Sequence, residues 1–231
     1  MTGTRALAAA TLGLAVLCAP ATAADLPIEE SGVSLITPRE AECPRIVLPF
    51  GVAAPYATDR RDGLHDGIDF KLPAGTPVLA IAAGKVVGLG AGARSAGHFV
   101  WLQHPPEGTG LPFWMYSTYR HLDPVPDLEV GSAVKVGQVI GASGKRNYPN
   151  LHLATLVGGG ERYDARGPSF VVAGARLVDP AIVYVSGLGS LLDLERLQRL
   201  RPNVLLPYAT DDGTIRPARA RVIWPIACRR R

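Results

Sequence analysis

Past residue 24 the chain has no apolar stretch long enough to cross a bilayer, which excludes a later helical membrane span. Charge of one sign is also scarce. There are 24 basic and 20 acidic side chains, a net charge of +4. The surplus gathers at Arg216, Arg219, Arg221 and Arg229-Arg230-Arg231. Such a tail either touches anionic cell-envelope polymer or lipid head groups, or is a solvated end. Only three cysteines occur, and no serine or cysteine sits in an arrangement that reads as a nucleophile. The glycine-rich Gly88-Leu89-Gly90-Ala91-Gly92 lacks the lysine of a phosphate-binding loop and is ordinary turn sequence.

What is present begins with an export signal. Arg5 supplies a positive start, Ala6 to Ala19 is a short apolar run, and Pro20 precedes the small-x-small site Ala21-Thr22-Ala23. Residues 1–23 read as a signal peptide cleaved after Ala23 or Ala24; the alternative is an uncleaved anchor. Cys18 does not mark a lipoprotein, because Leu17 stands where a small residue is wanted. The mature chain is expected to be periplasmic or extracellular, with no stable membrane insertion. Nucleic-acid binding then has little support, since export removes the chain from most such targets. Cleavage lowers the formal charge to +3 and leaves Cys43 and Cys228. In an oxidising compartment these two are a disulfide candidate linking the start of the mature chain to its end; the alternative is a pair of thiols.

Residues 24–45 contain Pro27, Pro38 and Pro44 with little periodicity and read as an irregular N-terminal arm. Residues 46–184 have β texture and form the main domain. Short apolar runs lie at 77–82, 85–88, 99–103, 114–119, 133–136, 139–141 and 151–157, bounded by glycine and proline. The runs at 99–103 and 114–119 read as a hairpin with a long, turn-rich loop. Many short strands with frequent turns predict a mainly β domain, an antiparallel sheet or sandwich. Residues 185–231 form a C-terminal extension too short to bury a core alone. It is expected to contain a helix capped by Ser190, with Leu191, Leu194, Leu197 and, less regularly, Leu192 and Leu200 on one stripe, ended by Pro202. A hairpin around Asp211-Asp212-Gly213 follows.

Three polar residues stand out as metal ligands: His65, Asp69 and His152. A hydrolytic zinc needs three protein ligands and keeps a fourth position for water. His65 and Asp69 are four apart and project from one face on a strand as on a helix. Gly67 between them leaves space for a metal or a close backbone. Alternation would turn Asp66 away from the pair, toward a supporting role or solvent. Taken alone, this H-x-x-x-D spacing is weak, and polar residues around a turn explain it equally well.

The surrounding blocks decide the matter. Residues 48–156 resemble the lysostaphin-type, or LytM-domain, zinc metallopeptidases of bacterial cell walls. The resemblance is carried by Leu48-Pro49-Phe50-Gly51, then by His65-Asp66-Gly67-Ile68-Asp69, similar to the family's H-x-G-x-D. It continues through Pro73-Ala74-Gly75-Thr76-Pro77-Val78, Ala82-Ala83-Gly84-Lys85-Val86 and Tyr119-Arg120-His121-Leu122. Val134-Lys135-Val136-Gly137-Gln138-Val139-Ile140-Gly141 and Pro149-Asn150-Leu151-His152-Leu153 complete it. The resemblance implies a LytM-like duplicated hybrid motif and one Zn2+ per chain, bound by His65, Asp69 and His152. It also implies a catalytic role for His121 beside the metal, with peptidoglycan peptide as the substrate.

One block departs from the family. The family's last motif is H-x-H, whose first histidine is catalytic and whose second binds zinc; here it reads Asn150-Leu151-His152. An amide donates and accepts hydrogen bonds but carries no proton at neutral pH. Three outcomes stay open: His121 does both jobs, Asn150 holds the water while solvent takes the proton, or the chain binds without turnover. The last would make it a non-catalytic regulator that binds peptidoglycan or activates a partner cell-wall hydrolase. His98, at a strand start, and His104, expected to bond the loop that follows it, have no metal-like spacing.

Overall fold

The computed structural model describes residues 28–29, 31–53, 63–91, 97–123, 128–145, 151–166, 169–172, 174–190 and 193–231. The expected export segment with Cys18, and Asn150, lie outside them. Among the described residues no helix is long and apolar enough to cross a membrane.

The β-rich texture becomes one dominant sheet. Its strands are β1 (Ile28–Glu29), β4 (Ile46–Leu48), β5 (Ile68–Phe70), β7 (Gly84–Ala91), β8 (His98–His104), β9 (Met115–Leu122), β10 (Ala133–Val134), β12 (Leu151–Gly158) and β15 (Ala175–Val178). Paired strands β2 (Ser34–Ile36) with β16 (Asn203–Leu205), β3 (Ala41–Glu42) with β19 (Arg229–Arg230), and β6 (Pro77–Leu79) with β11 (Val139–Ala142) lie off this sheet. So do β13 (Asp164–Arg166) with β14 (Ser169–Val171) and β17 (Tyr208–Ala209) with β18 (Ile215–Arg216).

In the main sheet the order is β1-β15-β12-β9-β8-β7-β10, with β5 on β12 and β4 on β5. Every pairing in it is antiparallel except β1 with β15. β12 is buried at all eight positions, which is why Leu151 to Val157 reads as an almost unbroken apolar run. One edge of β12 pairs with β9. Its other edge is divided between β5, along Leu151 to Leu153, and β15, along Thr155 to Gly158. That division brings β5, β9 and β12 together at His152.

The β8–β9 hairpin forms as expected. Its connection is not turns alone but includes a one-turn helix, α1 (Pro106–Thr109). Proline at the first helical position and Gly110 in the left-handed region just after the end are the usual brackets of a short helix. The arm at 24–45 is also less irregular than its prolines imply. β2 and β3 each pair with a strand of the C-terminal extension. Two- and three-residue strands whose partners lie at the far end of the chain leave no periodic signal.

The extension packs on the main domain. Its helix, α2 (Asp193–Leu200), opens on Asp193, whose carboxylate accepts from the backbone N–H of Gly189 at 2.7 Å and Ser190 at 3.1 Å. Leu197 is buried but Leu200 is exposed, so the apolar stripe is shorter than the leucine spacing suggests. Leu191 and Leu192 lie outside the described residues. The expected turn at Asp211-Asp212-Gly213 joins β17 to β18. Trp224 meets Phe70 edge-on at 5.2 Å between ring centroids, and its indole N–H donates to the Pro44 carbonyl at 3.1 Å. Cys43 and Cys228 form a disulfide. At the end of the arginine tail, β19 carries Arg229 3.6 Å from Glu42 and Arg230 3.1 Å from Asp212, with both side chains mostly exposed.

His104 does not bond the loop after it. It is fully buried, with Nδ1 3.0 Å from the Ala83 carbonyl and Nε2 2.8 Å from Ser117 Oγ. Burial disfavours the charged ring, and its pKa is lowered to about 4 despite the Ala83 carbonyl. The unfolded chain, near 6.5, therefore takes up this proton first as pH falls. The stabilisation from the neutral ring is complete above the unfolded value and is lost as pH falls through the folded one, a change of about 3 kcal/mol. Denaturant titrations at pH 7 and pH 4 should show His104→Gln losing less stability on acidification than the parent. An unchanged difference would contradict this role.

Candidate metal centre

Alternation on two adjacent strands builds the floor of the site. On β5, Ile68 and Phe70 enter the core while Asp69 faces the other way; on β12, Leu151 and Leu153 do the same around His152. The register sets His152 directly opposite Asp69 on one side and Arg120 of β9 on the other. Direct cross-strand partners share a face, so all three side chains project together. His65 precedes the strand. Its backbone is held by bonds to Val52 and Gly51, and its Nδ1–H donates to the Pro49 carbonyl at 2.8 Å. That bond fixes the tautomer and leaves the Nε2 lone pair aimed at the site.

The three expected ligands converge. His65 Nε2 lies 3.2 Å from His152 Nδ1 and 3.3 Å from Asp69 Oδ1, and His152 Nδ1 lies 2.9 Å from Asp69 Oδ1. Tetrahedral bonds to zinc of about 2.0–2.2 Å set ligand atoms about 3.3–3.6 Å apart. Two of the three edges come within about 0.1 Å of that range, and the third is shortened by a direct hydrogen bond. All three residues are at least 96% buried. The donor set of two imidazoles and a carboxylate is one that zinc accepts. Burial works against the charged form of His65, but the Asp69 carboxylate outweighs it and the pKa is raised. Burial likewise opposes ionisation of Asp69, yet the imidazoles of His152 and His65 against it hold its carboxyl well below the usual range.

Strand geometry does not account for the His65–Asp69 spacing, because β5 begins only at Ile68. The chain instead bends at Gly67. A β-carbon at Gly67 would lie 2.3 Å from the Leu153 carbonyl and 2.8 Å from the His152 ring. Gly67 therefore provides the close backbone approach that its position suggested. Asp66 corrects a simple expectation for the same reason. Alternation does not apply outside the strand, and Asp66 turns toward the site, with Oδ1 3.4 Å from His152 Nε2 and Oδ2 3.4 Å from Arg120. His65, Asp66 and His152 thus form a second, wider group whose ligand atoms all lie within 4.8 Å.

His121 reaches the same side through a bulge. Phe99 pairs with Arg120 and His98 with Leu122, which makes His121 the extra residue of β9, with a left-handed φ of 67°. A regular strand would put His121 and Arg120 on opposite faces; the bulge re-aims the imidazole. Its ring centroid lies 6.3 Å from that of His152. The strained backbone is gripped by Gly144, whose N–H donates to the His121 carbonyl at 2.9 Å. A β-carbon at Gly144 would lie 2.4 Å from that oxygen. A cavity of about 360 Å³ opens here, lined by His121, His98, Asp123 and Lys145 among others. The segment after His104 lines a separate cavity with Gln103 and Trp114 at the opposite end of the hairpin.

A mainly β domain with two buried imidazoles and a carboxylate meeting at one point, and a third imidazole beside them, has the build of a metallopeptidase. Residues 63–164 match peptidase family M23, and this stretch is a domain of the lysostaphin/LytM type. It is 35% identical to lysostaphin of Staphylococcus staphylolyticus over 117 residues, covering 49% of this chain and 23% of that protein. It is 35% identical to the peptidoglycan DD-endopeptidase ShyB of Vibrio cholerae over 100 residues, 40% of this chain and 20% of that protein. The chain thus spans under a quarter of the length of these curated relatives. The crystallised catalytic domain of lysostaphin from Staphylococcus simulans is 32% identical, with 49% of this chain and 80% of that one covered and a TM-score of 0.40.

Proposed function

We propose that the chain is an exported, zinc-dependent endopeptidase that hydrolyses peptide bonds of bacterial peptidoglycan. His65 Nε2, Asp69 Oδ1 and His152 Nδ1 bind the ion. The observation that carries this reading is the approach of those three buried atoms to 2.9–3.3 Å of one another. Two family relatives bear on the substrate: lysostaphin is an antimicrobial peptidase and ShyB a peptidoglycan endopeptidase. Bound there, zinc supplies Lewis acidity that polarises a scissile carbonyl and acidifies water.

The chain's own residues supply the rest. The Pro49 carbonyl keeps His65 in the ligating tautomer. Asp69 contributes the one negative charge among the ligands. His121, turned inward by its bulge, stands where it can hydrogen-bond the nucleophile or the developing oxyanion and move a proton. The three buried ligands keep bulk water from the floor of the site.

Asn150 stands in the sequence where the family has its other catalytic histidine, and it cannot carry that proton. Loss of a general acid or base costs on the order of 10²–10⁴ in rate. This residue favours a second reading, a regulator that binds wall material or activates a partner hydrolase without cutting. Digestion of purified peptidoglycan by the mature protein separates the two. Release of muropeptides that stops on chelation supports the enzyme, and Asn150→His should then raise the rate roughly 10²-fold or more. A zinc-loaded protein that releases nothing in either form contradicts the enzymatic reading and leaves the regulator.

A further inference from the structure

We propose that Asp66 and Arg120 are positioning residues for His152, with Asp66 accepting the ring's Nε2–H and Arg120 holding Asp66 in place. This rests on the reading of His152 as a zinc ligand through Nδ1. Both other ligand atoms lie on the Nδ1 side of the ring, Asp69 Oδ1 at 2.9 Å and His65 Nε2 at 3.2 Å. A neutral imidazole that gives its Nδ1 lone pair to a cation carries its proton on Nε2. That nitrogen is buried and makes no hydrogen bond. The carboxylate facing it is Asp66, at 3.4 Å, close enough for a small rotation to complete the bond.

Arg120 is the direct cross-strand partner of His152 and lies on the same face, with its guanidinium 3.4 Å from the other Asp66 oxygen. The two carboxylate oxygens are therefore divided, one toward the imidazole and one toward the guanidinium. Asp66 and Arg120 side chains are only 14% and 20% exposed, so water competes weakly for either contact. A carboxylate on the far nitrogen of a ligating histidine fixes the ring plane and raises its basicity as a ligand. The sequence places Asp66 one residue from a ligand, but nothing in it reveals that the ring it serves belongs to β12, or that Arg120 stands behind it.

Zinc competition against a chromophoric chelator tests this without any peptide cleavage. Asp66→Ala should still take one zinc but bind it about 10–100-fold more weakly, whereas Asp69→Ala should take none. Arg120→Ala should weaken binding by a smaller factor. The double variant should be no weaker than Asp66→Ala, because Arg120 acts only through that carboxylate. Asp66→Asn, which keeps the shape and one acceptor oxygen, should fall between and serves if the alanine variant does not fold. Unchanged affinity in both Asp66 variants overturns the inference. So does complete loss of zinc in Asp66→Ala, which would make Asp66 a ligand, and so do additive losses in the double variant. A parent protein that binds zinc but cuts no wall material refutes the endopeptidase reading and leaves this inference standing. A parent that takes no zinc removes the premise of both.

Discussion

His152→Ala is expected to abolish both zinc binding and muropeptide release. His152 is the hub of the site, since its Nδ1 meets both other ligand atoms and its strand supplies the pairing partner of Asp69. Removing it leaves two ligands on one side of an open gap, below the three that a catalytic zinc needs. The metal's contribution to charge stabilisation is several kcal/mol, so release should fall roughly 10³-fold or more. Zinc content by atomic absorption and muropeptide release by chromatography read the two losses separately. A variant that retains one tightly held zinc would move the metal to other residues.

Cys228→Ser is expected to cause the largest loss of stability of any single change in the C-terminal extension. The disulfide joins residues 185 positions apart. Closing so long a loop restricts the unfolded chain by about 5 kcal/mol in the chain-entropy treatment. For a chain of this size that corresponds to a melting temperature lower by about 10–20 °C. The effect should extend to the site, because Trp224, four residues before Cys228, packs on Phe70, the neighbour of Asp69 in β5. Scanning calorimetry of the parent with and without reductant, beside Cys228→Ser, checks this. Coincident melting of all three would show the bridge to be unimportant to the fold.

The three candidate ligands stood out in the sequence because a family pattern of short blocks surrounds them, and the structure brings those side chains within 2.9–3.3 Å of one another. Their local geometry was not legible. His65 and Asp69 converge through a bend at Gly67 and not along one strand, and Gly67 is tied to His152, which lies far away in the chain. The turn of His121 toward the site depends on a bulge that appears only when β8 and β9 are paired. Asp66 and Arg120 are hidden for a related reason, since their relation to His152 is one of register between strands, and register is set by partners distant in sequence. The β texture of residues 46–184 was plain from short apolar runs bounded by glycine and proline. The strands of the N-terminal arm were not, being too short for alternation to show. His104 looked like a loop-bonding residue because the residues that follow it are loop; its actual partners are Ala83, just before β7, and Ser117 on β9.

A crystal of the protein grown with zinc, measured across the zinc absorption edge, addresses the central claim without relying on activity. The account predicts a single anomalous peak about 2.0–2.2 Å from each of His65 Nε2, Asp69 Oδ1 and His152 Nδ1. A peak bound instead through Asp66, or no peak between these side chains at saturating zinc, would contradict it.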